Sequence, residues 1–69
     1  MDQETVRRLE QALDGALADI REASTDDFRR LKCGEYRGLK IAVAILGLVL
    51  QEADGRHTLM TGDAGQEEA

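Results

Sequence analysis

At 69 residues, with nine lysines and arginines against fourteen aspartates and glutamates and a formal net charge of −5, the chain is held to one small domain that buries a modest share of its surface. One cysteine and one histidine exclude an intrachain disulfide and argue against a metal centre, so self-association or a partner is expected to supply the missing stability, with no cofactor. The acidic start MDQETVRRLEQ lacks the basic-then-apolar order of a secretory signal, which makes cytoplasmic synthesis the expectation.

Proline is absent, Phe28 and Tyr36 are the only aromatics and a third of the residues are charged, a composition that favours long helices over a sheet. Val6, Leu9, Leu13, Ala16, Ile20 and Ala23 recur at alternating steps of three and four, with Ala12 and Leu17 widening the stripe. This spacing predicts a first helix over about residues 3 to 23 with those side chains as its apolar seam. Gly15, Arg7, Arg8, Asp14, Arg21 and Glu22 fall on the opposite, solvated side.

In ASTDDF, Ser24 or Thr25 supplies a capping oxygen, and Asp26 and Asp27 suit the positive end of a new helix. A tight turn between helices is expected there, the alternative being one unbroken helix through Ser24 and Thr25. The second helix is predicted over about residues 26 to 53, stopped by Asp54 and Gly55. The expected fold class is therefore all-α: an antiparallel helical hairpin over residues 1 to 53, followed by a polar, glycine-rich tail over 54 to 69.

Projected as a helix, Phe28, Leu31, Gly34, Gly38 and Ile41 share one side, on which Phe28 and Leu31 extend the hairpin seam, while basic residues spread over the other. From Ile41 to Leu50 the helix becomes apolar or small almost all round. Ten residues make only about 15 Å of helix, roughly half of a bilayer's hydrocarbon core, so a membrane span is not expected. In a hairpin reversing at Ser24 and Thr25 this segment meets only the first turns of helix 1. Ile41, Ala42, Ile45, Leu46, Leu48, Val49 and Leu50 are accordingly the expected interface with other copies or a partner, because each large apolar side chain buried there contributes roughly 1.5 to 3 kcal/mol. Gly34, Gly38 and Ala42, four apart, form a groove of small residues for close approach of another helix.

Arg29, Arg30, Lys32, Arg37 and Lys40 form a candidate face for an anionic partner. Pairing with the acidic first helix outweighs nucleic-acid binding, given the net negative charge and the lack of interleaved aromatics; docking on an acidic protein surface fits equally well. Cys33 lies one turn from both Arg29 and Arg37, a setting that suits either an intermolecular thiol or, more simply, an inert one. His57 has no second histidine or cysteine at ligand spacing. No nucleophile with its base, phosphate loop or carboxylate pair in a pocket is legible, which points away from an enzyme and from a small-molecule substrate.

The run DDFRRLKCGEYRGLKIAVAIL, in which Phe28 and Leu31 are followed by Gly34, the small residue Gly38 and Leu39, resembles the second helix of small two-helix proteins encoded among tailed-bacteriophage particle genes. The resemblance covers residues 26 to 50. It implies a minor virion component attached to larger phage structural proteins of the capsid, connector or tail. The apolar segment after Lys40 departs from the more mixed helix of such proteins. The expected function is a non-enzymatic structural or interaction protein that self-associates or docks through its second helix. The alternative is a small dimeric RNA-binding regulator, similar to plasmid copy-number modulators in size, acidity and hairpin architecture, with Arg29, Arg30, Arg37 and Lys40 on phosphates.

Overall fold

The computed structural model describes residues 2–61. In chain order it contains α1 (Gln3–Glu22), α2 (Asp26–Ile45), β1 (Leu48–Ala53) and β2 (Arg56–Thr61). Asp2 caps α1, its Oδ1 accepting from the Thr5 N–H at 2.8 Å, and that bond holds the Asp2 carboxyl below its ordinary pKa. After Glu22 the chain leaves the helix, and Thr25 Oγ1 accepts from the Phe28 N–H at 3.2 Å to open α2, with Asp26 and Asp27 in the first turn. The cap satisfies a donor that the first turn of α2 would otherwise leave unpaired, which offsets part of the cost of breaking the helix there.

The all-α expectation is overturned, since two helices are joined by an antiparallel two-stranded sheet and the class is α+β. α2 stops at Ile45, eight residues before the expected end at Ala53 and short of the residue 50 to which the two-helix resemblance extends. Gly47 ends it: at φ 81° it takes the left-handed conformation that helix exits favour, and its N–H donates to the Ala44 carbonyl at 3.0 Å. Beyond it Leu48, Val49 and Leu50 are strand rather than helix. Asp54 and Gly55, at φ 56° and 82°, form the two-residue hairpin turn rather than a helix stop. A side chain at Gly55 would be strained by that φ and would also bring its Cβ to 2.8 Å from Arg21 Nη1. Residues 56 to 61, expected as part of a polar tail, form β2; the rest of that tail, residues 62 to 69, lies outside the described residues.

Leu48 pairs with Thr61, Leu50 with Leu59 and Glu52 with His57. Leu48, Leu50, His57 and Leu59 turn toward the helices, while Val49 and Met60 face outward. Leu13, Val43 and Leu59 form the buried centre, with Val6, Leu9, Tyr36, Leu39, Leu48 and Leu50 packed around them. The chain's own hairpin thus supplies part of the cover that the apolar segment was expected to find on a neighbour.

Candidate functional site

Glu10 and Asp14 stand one turn apart on α1, which spaces their carboxylates about 6 Å along the helix axis, close to the two-residue repeat of a strand. They use that match to cap the outer edge of β2. Glu10 Oε2 accepts from the Leu59 N–H at 2.8 Å, and Asp14 Oδ1 accepts from the His57 N–H at 2.8 Å and lies 2.7 Å from His57 Nδ1. On the other side of the ring, His57 Nε2 lies 2.7 Å from Tyr36 Oη. The carboxylate fixes one direction of this network, Nδ1–H donating to Asp14 Oδ1, and the tautomer that leaves Nε2 bare accepts there from the Tyr36 hydroxyl. The two rings meet edge to face, with centroids 5.5 Å apart.

Burial pushes the Tyr36 hydroxyl above its ordinary pKa of 10.0; the Glu52 carboxylate adds to the effect, Arg21 opposes it and Asp14 adds again. Because the folded pKa is the higher, the contribution of Tyr36 is fully present below pH 10.0 and is lost as pH rises through the folded value. Tyr36→Phe, by deleting one hydrogen bond, is expected to lower stability by about 1 kcal/mol at neutral pH. Denaturant titrations should show that deficit shrinking as pH rises past 10.0. A deficit constant into alkali would mean that the phenolic proton has no part in the fold.

An Asp–His–Tyr order has the connectivity of a relay that activates a nucleophile. Here the His57 side chain is fully buried and both ring nitrogens are taken, so the network has no open position for a substrate. Its evident effect is mechanical: α1, α2 and the hairpin are pinned at one histidine. Among the described residues no group of three histidine, cysteine or acidic side chains could hold a metal ion.

Of the seam residues on α1, Leu13 and Ala16 are buried and Val6, Leu9, Leu17 and Ile20 half-buried. α2 meets them with Lys32, Tyr36, Leu39 and Val43, a stripe that reasoning from sequence passed over in favour of the side carrying Phe28 and Leu31. That other side points outward. Leu31 is 59% exposed, Ile41 54% and Ile45 79%, and Phe28, Leu46 and Val49 are also exposed. Gly34, Gly38 and Ala42 lie exposed among them, and a Cβ at either glycine would meet nothing within 4 Å among the described residues. Leu31, Gly34, Gly38, Ile41, Ala42 and Ile45 therefore make one apolar strip along α2. Leu48 and Leu50, half-buried on the inner face of the hairpin, do not belong to it.

The basic residues are unequally engaged. Arg29 pairs with Asp26 at 3.0 Å and reaches the Ala23 carbonyl, while Lys32 bridges Glu35 at 3.3 Å and Asp19 of α1 at 3.5 Å. The hydrogen bond to Glu35 is the first reason that the Lys32 pKa is raised. Lys40 Nζ lies 5.0 Å from the centre of the Tyr36 ring. Arg30 and Arg37 are exposed and make no ion pair among the described residues, and Cys33 is an exposed free thiol. Among the described residues no helix is long and apolar enough to cross a membrane. No protein family, curated protein or solved structure was found to match the chain.

Proposed function

We propose that the protein is a non-enzymatic interaction module that self-associates through the α2 strip, and that it serves as a minor component of a virion, the setting implied by the resemblance of residues 26 to 50. The observation that carries the first part is the exposure of Ile45, 79%, in line with Leu31 and Ile41 and beside two open glycines. Mid-helix glycine costs up to about 1 kcal/mol relative to alanine. Among the described residues nothing uses the space beside Gly34 or Gly38, whereas close approach of a second helix does. Arg30 and Arg37 border the strip on one side and Glu35 on the other. A second copy lying parallel across it brings unlike charges together along both margins.

Recognition of RNA by the basic face is the weaker reading, because Arg29 and Lys32 already serve carboxylates of the chain itself. Light scattering over a concentration series tests the stronger one. The wild type is expected to be an oligomer, and Ile45→Asp to lower its mass without changing its circular dichroism, since the side chain stands mostly outside the monomer's core. A wild type that remains a folded monomer throughout the series would sink the proposal.

A further inference from the structure

The two edges of the sheet are treated differently. On β2, the outward N–H groups of His57 and Leu59 are capped by Asp14 and Glu10. Because these donors leave the ladder, the pairs Glu52–His57 and Leu50–Leu59 are the non-hydrogen-bonded ones of the antiparallel alternation, as is Leu48–Thr61. The backbone groups of Leu48, Leu50 and Glu52 therefore point away from β2, along the free edge of β1. Among the described residues no side chain or other segment accepts from those three N–H groups. The strand LVLQEA has no proline, lysine or bulge, the usual means of blunting an exposed edge.

We propose that this edge is a second self-association surface, on which β1 of another copy adds in antiparallel register about a two-fold axis at Leu50, giving a continuous four-stranded sheet. The occupant follows from self-complementarity. Leu50 then faces Leu50 of the second copy, and Leu48 faces its Glu52, so all three free donors and acceptors of each edge meet counterparts. The register also keeps the two Glu52 carboxylates about 13 Å apart along the strands, which avoids like charges in direct opposition. The core gives a reason for association, since among the described residues the fully or nearly buried apolar side chains are only Leu13, Ala16, Val43 and Leu59.

This surface is distinct from the α2 strip. A chain carrying two isologous surfaces does not stop at a dimer: it closes at four copies when the two-folds cross at right angles, closes at a larger even number when they cross at a smaller whole fraction of a half-turn, and otherwise extends. The test is backbone N-methylation at Leu50, introduced in a synthetic segment beginning at Cys33 and ligated to residues 1 to 32. It removes the central edge donor and leaves every side chain and every bond between β1 and β2 in place. The wild type is expected to have the mass of four copies or more, and the N-methylated chain, with unchanged circular dichroism, half that mass or less. Amide exchange at Leu48, Leu50 and Glu52 should be protected in concentrated wild type and should quicken at least tenfold on dilution to monomer. An N-methylated chain with the wild-type mass, or edge amides that exchange equally fast at every concentration, would overturn the inference. If N-methylation halves the mass and Ile45→Asp does not change it, the β1 edge stands and the α2 strip falls; the converse pattern keeps the strip and removes the edge.

Discussion

Asp14→Ala is expected to leave the protein largely unfolded. It strips the acceptor from the His57 N–H and from His57 Nδ1, beside an imidazole whose side chain is fully buried. Each buried donor left without a partner costs about 1 to 3 kcal/mol, or roughly 2 to 6 kcal/mol together. A single core in a domain of this size supplies only about 3 to 5 kcal/mol. Asp14→Asn is the informative companion, since the amide oxygen still accepts from both donors and only the charge is lost; it should remain folded. Urea unfolding gives the two stabilities, and amide exchange at His57 and Leu59 shows whether the hairpin detaches first. An alanine variant as stable as wild type would mean that apolar packing alone holds the hairpin in place.

Leu13→Ala should be equally severe, at about 2 to 5 kcal/mol, because Leu13 is 0% exposed at the centre of the core and its truncation leaves a cavity among Val43, Leu59 and their neighbours. Leu31→Ala, by contrast, should change the stability of the monomer by less than about 1 kcal/mol, since its side chain is 59% exposed. Thermal melts at concentrations where the chain is monomeric make the comparison. Two leucines that read as members of one seam in the sequence would then be separated by their effects. Equal losses at both sites would mean that α2 presents its other face to α1.

That contrast marks where the sequence was informative. α1 was legible almost to the residue, because its apolar positions fall on a single stripe and the expected span of 3 to 23 becomes Gln3–Glu22. The Thr25 turn was legible from its capping chemistry. α2 carries two apolar stripes, Leu31/Ile41/Ile45 and Tyr36/Leu39/Val43, and periodicity alone does not say which one faces inward. The inner choice comes from Lys32, which reaches Asp19, and from a hairpin that covers Tyr36 and Val43.

The hairpin itself was masked by the continuous apolar run from Ile41 to Leu50, in which helix and strand are not distinguished by period. The signal that was present is Asp54–Gly55 with a six-residue strand on each side, which is a hairpin signature as much as a helix stop. In the sequence His57 stands as a lone histidine because its partner Asp14 is 43 residues away, a pairing that no local pattern encodes. Glu10 and Asp14, four apart on α1, are the visible half of it, although Asp14 falls in the sequence on the side expected to be solvated.

The two carboxylates that guard β2 also differ in what they constrain. Glu10 touches only the backbone at position 59, so any apolar residue there keeps the bond, and changes at the two positions should have nearly independent effects. Asp14 touches both the backbone and the ring at position 57, so the identity of one residue sets the worth of the other. The neighbouring contacts, alike in geometry, thus impose unlike freedoms on variants of this chain: position 59 accepts any apolar residue while Glu10 stays, whereas a change at 14 that removes the accepting oxygen is costly for as long as 57 is histidine.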